Sequence, residues 1–459
     1  MKSVVVDGSY THTLNIPDEW EFSELKNVIN LVGGNQPPKS KFLYEASDNT
    51  IRLIQIRDYK SDQHKVFIQK SDAKRFVNKT DVMIGRYGPP IFQILRGLEG
   101  AYNVALMKAE PVLGSYDKDF LYYYLSNQDI YNYVNSASDR TAGQSGVNKE
   151  HLEKYPVPVV PLAEQQEIVR QLDVMLAQVE QIKARLDAIP AILKKFRQSV
   201  LAEAVSGKLT EEWRGTSELI GWHNKTLGDI AIVKTGKTPS RKESKYWENA
   251  SIPWLTSSAT GNNFTDSADE FISDVASKEC NLTPFPKGTL LLAMYGEGKT
   301  RGQVTELLIE ATCNQACAAI LVNKEIAHTS FVKIRLLENY EVIRKAASGG
   351  NQPNLNLNKV REIDISLPTL DEQFEIVNIV KSLFVYAYKI EQTVQSAQKR
   401  VNLLTQSILA KAFSGELTAE WREQHQELIT GINSAESLLA KIQAEREASK
   451  PVKKAKKVK

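Results

Sequence analysis

The chain is written twice, and that restricts its fold more than any other feature. Residues 198–214 read QSVLAEAVSGKLTEEWR and residues 406–422 read QSILAKAFSGELTAEWR. Twelve of the seventeen positions are identical, at a constant offset of 208. The likeness extends backward: Glu164-Gln165 and Glu167-Ile168-Val169 match Glu372-Gln373 and Glu375-Ile376-Val377 at the same offset. Repetition at a fixed offset marks an architecture built from like units.

Between these anchors the apolar residues keep heptad spacing. The first copy has Ile168, Leu172, Met175, Val179, Ile182, Leu186, Ile189, Leu193, Phe196 and Val200. The second has Ile376, Val380, Leu383, Ala387, Ile390, Val394, Ala397, Val401, Leu404 and Ile408. A 3.5-residue period keeps one seam facing a partner helix, so the pattern predicts a coiled coil. Each seam covers about 50 Å at 1.5 Å per residue. Pro190 interrupts only the first copy. Because the heptad phase survives across it, a kink near Leu186–Ile189 is expected rather than a break. Ser206-Gly207 and Ser414-Gly415 are helix stops.

The segments ahead of the helices, residues 1–160 and 215–367, are rich in β-branched and aromatic residues and in turns. Their landmarks recur. Trp20 and Gly34-x-x-Pro37 answer to Trp222 and Gly236-x-x-Pro239; Arg86-Tyr87-Gly88 answers to Met294-Tyr295-Gly296; Asn148-Lys149 answers to Asn358-Lys359. The expected fold is α+β: two β-rich mixed α/β modules and two long coiled-coil helices, with internal pseudo-two-fold duplication. The expected order is module 1–160, helix and spacer 161–214, module 215–367, helix 368–422, and a C-terminal segment 423–459. That last segment carries a short helix near Ser434–Ser449 and the basic tail KPVKKAKKVK. The tail reads either as a solvated end or as a weak contact to a phosphate backbone.

One stretch imitates a nucleotide site. In LLLAMYGEGKT, Leu290–Thr300, a strand-like run enters a Gly-rich turn ending in Gly298-Lys299-Thr300. A phosphate loop needs a first glycine at 293, where Ala293 stands, and a helix afterwards. RGQVTELL follows instead, with strand-like spacing. Nucleotide binding is therefore not expected. Nor is a zinc site: Cys313 and Cys317 have no second pair, and the six histidines are scattered, so buried free thiols are expected at Cys280, Cys313 and Cys317. No serine-hydrolase, zinc-protease, dinucleotide or amino-methyltransferase motif is present. The N-terminus lacks the apolar core of a signal peptide and no run is long enough to span a membrane, so a cytoplasmic protein is expected. The net charge of +3 is too mild for an indiscriminate polyanion binder. The chain reads as a binding protein.

These features together resemble the specificity subunit of type I DNA restriction-modification enzymes, particularly the enterobacterial-type subgroup. The resemblance rests on Pro161-Leu162-Ala163-Glu164-Gln165, on Asp371-Glu372-Gln373, on both long helices, and on Gln198–Arg214 and Gln406–Arg422. It implies that each module is a target recognition domain reading half of a bipartite site in double-stranded DNA. It implies that the two helices pack antiparallel, separate the modules and dock two modification subunits, which bind S-adenosylmethionine and methylate adenine. Two restriction subunits using ATP and Mg would complete the assembly. This chain would bind no cofactor and hold no catalytic residue or metal. Helices of this length would hold the modules about one and a half DNA turns apart, at roughly 34 Å per turn. The reading to set against this is a coiled-coil protein–protein adaptor without DNA specificity.

Phosphates are met by Lys, Arg and small polar groups; base edges are read by Arg, Lys, Asn, Gln, Ser and Thr. In the first module these criteria select Arg57, Tyr59 and Lys60, then Arg86 and Tyr87, then Gln144 and Asn148. In the second they select Thr238, Ser240 and Arg241; Ser257, Ser258, Thr260 and Asn262; Tyr295, Lys299 and Arg301; and Gln352, Asn354 and Asn356.

Overall fold

The structure, a computed structural model, describes residues 1–6, 10–137, 146–296, 299–342 and 355–449. Two helices dominate it, Leu162–Val205 and Leu370–Phe413, each of 44 residues. Both are rich in Ala, Leu, Gln, Glu and Lys, which lose little rotamer freedom in a helix. The first runs unbroken through Pro190. Each ends just before a left-handed glycine, Gly207 (φ 73) or Gly415 (φ 77).

Contacts divide the chain into two units. One comprises Met1–Arg185 with Ala397–Lys459, the other Leu186–Ser396. Each unit therefore holds one module, the start of one long helix and the end of the other.

In the first unit a hairpin pairs Lys2–Val6 with His12–Ile16. Strand Glu21–Glu24 pairs antiparallel with Pro156–Val159, bringing the module's start beside its end. A four-stranded antiparallel sheet has the order Ile29–Gly33, Leu106–Pro111, Val82–Gly85, Gln93–Leu95. A second four-stranded sheet contains the parallel pair Thr50–Ile54 and Gly100–Tyr102. Ile168 and Leu172 from the first long helix share a core with Ile408, Ala412 and Phe413 from the second. Low numbers meet high ones, so the helix segments run antiparallel. Helix Ala435–Ala448, close to the expected limits, buries Ala435 and Ile442 in that core.

The second unit repeats the plan. His223–Thr226 pairs with Asp364–Leu367. A five-stranded sheet has the order Ala231–Thr235, Cys317–Val322, Leu290–Ala293, Val304–Leu307, Phe264–Thr265. A three-stranded sheet joins Glu270–Ile272, Ile252–Leu255 and Thr312–Cys313. Val200, Leu201 and Ala204 share a core with Ile376 and Val380, again antiparallel, and Arg197 pairs with Glu391 at 2.8 Å.

Three details depart from the sequence reading. Ile182 and Leu404, both seam positions, are 44% and 43% exposed. Where a module backs the seam, as at Ile168, burial is complete; a two-helix seam alone leaves its side chains partly open to water. Cys280 is only half-buried, unlike Cys313 and Cys317. Asn148 corresponds to Asn356, not Asn358. Each caps the short helix that follows it, accepting a backbone N–H three residues on, from His151 and Lys359.

Candidate nucleic-acid interface

The repeated motifs build the same clasp in both units. In the first, the Glu164 carboxylate is wholly buried. Trp20 Nε1 donates to it at 2.8 Å, Thr418 Oγ1 at 2.7 Å, and Arg422 through Nε at 3.0 Å and Nη2 at 2.8 Å. Arg422 Nη2 also donates to the Gly415 carbonyl at 2.7 Å. In the second, Trp222 Nε1 donates to Glu372 at 3.0 Å and Thr210 Oγ1 at 2.8 Å, Arg214 pairs with the same carboxylate, and Arg214 Nη2 reaches the Gly207 carbonyl at 3.1 Å. Each clasp joins three pieces: the module's Trp, the start of one long helix, and the turn after the other. A carboxylate stripped of water needs this many donors to be tolerated, and charge-assisted bonds are its strongest partners.

The neighbouring glutamines do related work. Gln165 bonds the Val160 and Ser115 carbonyls and the Asp117 N–H, while Gln373 bonds the Pro368 and Ile326 carbonyls and the His328 N–H. Each fixes the N-terminus of a module helix, Lys118–Leu125 or Thr329–Glu338. The Gly-x-x-Pro landmarks also gain a cause. A Cβ on Gly34 would lie 1.9 Å from the Asn103 carbonyl oxygen, and one on Gly236 would lie 1.5 Å from that of Cys313. Only glycine lets the chain leave the first sheet this close to the second.

Most of the described residues among the expected readers sit on connections beyond these frames. In the first module Arg57 and Lys60 are exposed on the turn after strand Thr50–Ile54. Arg86 and Tyr87 follow strand Val82–Gly85, with the guanidinium 5.3 Å from the Tyr87 ring centre. The Arg86 carbonyl accepts the Val147 N–H at 2.9 Å, so Asn148 is brought beside this pair. Tyr59 is misplaced by the sequence reading. It packs against the Ile54 and Met83 cluster, and burial raises the pKa of its phenol. Gln144 lies outside the described residues.

In the second module Thr238 Oγ1 donates to Gln315 at 2.6 Å, and the Ser240 carbonyl accepts from Trp247 Nε1 at 3.0 Å. Arg241 is not free: it pairs with Glu270 and lies 3.9 Å from the Trp247 ring centre. That pairing raises the guanidinium pKa and lowers the carboxyl pKa. Thr260 is also misplaced, being buried with its hydroxyl bonded to the Ser257 carbonyl at 2.7 Å. Ser257 is half-buried, whereas Ser258 and Asn262 are exposed on the same loop. Those last two line a cavity of ≈ 250 Å³ with Thr256, Phe264, Asp266 and Glu270.

Tyr295 and Arg301 are half-buried, while Lys299 is exposed and accepts the Tyr340 hydroxyl at its carbonyl, 2.6 Å away. Strands Leu290–Ala293 and Val304–Leu307 are antiparallel neighbours, so this is a hairpin loop with no helix after it. A phosphate loop calls for a helix at that place. Asn356 is spent at its side-chain oxygen as a helix cap, as is Asn148. Gln352, Asn354 and the basic tail lie outside the described residues. Among the described residues, no group of three or more His, Cys, Asp or Glu could hold a metal, and no helix is long and apolar enough to cross a membrane.

Sequence reasoning missed Lys333. It lies on helix Thr329–Glu338, is only 5% exposed, and donates to the Asn263 carbonyl at 2.5 Å. Its ammonium lies 3.8 Å from the Phe264 ring centre and 3.5 Å from Glu306. Burial lowers its pKa, with Glu306 opposing. An apolar pattern that puts Lys333 on the inner face of FVKIRLL was the available signal.

Two like modules, each clasped to an antiparallel helix pair, define a duplicated recognition protein whose variable loops stand on a repeated frame. Comparison with known proteins names its kind. The profile of the Type I restriction modification DNA specificity domain matches residues 17–191 and 220–398, one match per module, and the chain belongs to that family. It is 30% identical to the type I restriction enzyme StySPI specificity subunit of Salmonella potsdam, over 95% of this chain and 97% of that one. It is 32% identical to the EcoBI specificity subunit of Escherichia coli, over 97% and 96%. The fold matches the HsdS subunit of Thermoanaerobacter tengcongensis with a TM-score of 0.60 at 17% identity, covering 87% of this chain and 98% of that one. A chain from a study of type I R-M complex assembly gives a TM-score of 0.68 at 17% identity, covering 87% and 99%.

Proposed function

We propose that this chain is the DNA-reading subunit of a type I restriction-modification complex, with each module reading one half of a bipartite duplex target. Modules 1–160 and 215–367 supply the address, the segments 161–214 and 368–422 form the frame, and within the C-terminal segment 423–459 helix Ala435–Ala448 braces the first module. The observation that carries the reading is the duplicated clasp. One chain presents the same frame twice and mounts a different loop set on each copy. Such a chain suits two unlike half-sites and two copies of one partner.

On this reading the frame docks two modification subunits, and two restriction subunits complete the complex. S-adenosylmethionine belongs to the modification subunits and ATP with Mg to the restriction subunits; this chain holds neither and acts in the cytoplasm. Arg57, Lys60, Arg86, Tyr87, Ser258, Asn262, Lys299 and Arg301 are the contacts best placed on the loops. The test is methylome sequencing of a host expressing the whole system, with DNA retention by the purified complex at moderate salt. A bipartite methylated motif is expected. Partner binding without sequence-specific DNA retention would instead favour the adaptor reading.

A further inference from the structure

The geometry points to Lys333 as the positioning residue that sets the register of a reading loop in the second module. This rests on the DNA-reading function proposed above. The loop runs from Ser257 to Asn263 and enters strand Phe264–Thr265, the outermost of the five-stranded sheet. That strand pairs with Val304–Leu307 through only two residue pairs, Phe264 with Glu306 and Thr265 with Leu307. Two pairs specify register weakly, and a one-residue slip would turn every side chain to the opposite face. Something else must hold it.

Two side-chain contacts do so. Thr265 and Thr305 share a buried hydroxyl hydrogen bond of 2.9 Å. Lys333 reaches the strand from the helix, bonding the Asn263 carbonyl and covering the Phe264 ring. Glu306, opposite Phe264 in the ladder, completes the charge balance. The lysine is thus bonded to the residue directly after Asn262, and Ser258 and Asn262 both line the cavity at the loop. Lys333 itself is buried. Its effect on DNA passes through the loop.

The first module shows that this is a particular device and not a general need of the fold. Asp117 and His328 are the equivalent helix caps, each bonded through its N–H to the paired glutamines. Five residues after each cap stand Tyr122 and Lys333. Among the described residues Tyr122 has no further strand to hold; Arg96, from the end of the outer strand, lies over its ring at 3.9 Å. Cation and ring have changed places, and among the described residues the fifth strand occurs where the helix carries the cation.

The experiment uses the full chain assembled with its modification subunits. Lys333→Met keeps length and removes the donor and charge; Lys333→Arg restores both. Methylated motifs are sequenced for each, beside thermal unfolding. In Lys333→Met, discrimination at one position of the second half-site should fall about tenfold, the scale of one mismatched base pair. The first half-site should be unchanged, and Lys333→Arg should recover most of the loss. A merely structural lysine would lower methylation at all sites together and leave the motif intact; that result, or an unaltered motif at full activity, overturns the proposal. If Lys333→Met does not assemble, Thr305→Val unfastens the same strand, and an unchanged second half-site would count equally against it. A wild-type complex that deposits no bipartite motif would defeat the functional reading itself, before any variant is compared.

Discussion

In the first unit, strand Gln93–Leu95 is the edge of its sheet, and Arg96 at its end pairs with Asp119 and covers Tyr122. In the second unit the corresponding strand, Val304–Leu307, is covered by Phe264–Thr265, which Lys333 holds from the helix behind. Beneath these rims the two units agree residue for residue: Trp20 and Trp222, Glu164 and Glu372, Thr418 and Thr210, Arg422 and Arg214 make corresponding contacts, although Arg422 meets its carboxylate through Nε and Nη2 and Arg214 through Nη1. The part that attaches a module is repeated, and the part that meets the outside is rebuilt. On the proposed function, a frame that accepts two copies of one partner tolerates little change. Loops on a rigid scaffold can vary without unfolding it.

If the clasps are equivalent, breaking them should hurt equally. Arg422→Ala strands a buried Glu164, and Arg214→Ala strands Glu372. Loss of one partner of a buried ion pair costs about 3–5 kcal/mol. Chemical denaturation should show that scale of loss in both variants. A clearly milder Arg214→Ala would show that the second clasp is looser than its geometry implies.

The glycines after the helices should separate the units. A Cβ on Gly415 would lie 2.3 Å from Cγ and 2.7 Å from Cδ of Pro17, a closed ring that cannot turn aside. On Gly207 the nearest atom is Leu219 Cδ2 at 2.5 Å, the movable end of a flexible chain. Both positions carry positive φ, worth about 1–3 kcal/mol against any other residue. Thermal unfolding should rank Gly415→Ala as the more damaging. Equal losses would mean that backbone strain alone decides.

A smaller effect is expected at the rim. Thr260→Val removes one bond to the Ser257 carbonyl, about 1 kcal/mol. Stability should fall slightly by denaturant titration while the methylated motif stays the same, because the hydroxyl faces inward. A changed base preference would return Thr260 to the reading set.

Much of the frame was legible in the sequence. The 208 offset, the heptad phase and the Ser-Gly stops located both helices, and the C-terminal helix was found near its limits. Short-range patterns carry that information. The clasp residues were visible as repeated letters, but their partners were not, because Glu164 meets Arg422 across most of the chain's length. A shorter separation, 70 residues, likewise hid Lys333, whose burial depends on the loop ending at Asn263. Thr260 and Tyr59 were chosen because polar residues near turns suit contacts; their side chains turn inward, a choice settled by packing. Asn148 and Asn356 carry the type expected of base readers and spend their oxygens as caps.

The independence of the two modules is the central claim, and a chimera tests it most directly. Residues 1–160 would be replaced by the equivalent module of a relative, keeping Pro17 and Trp20 so that the clasp can close. Methylome sequencing of a host carrying the assembled complex would then compare motifs before and after. One half-site should change and the other stay as it was. If both halves changed, or neither did, the modules would not be separate readers on a common frame.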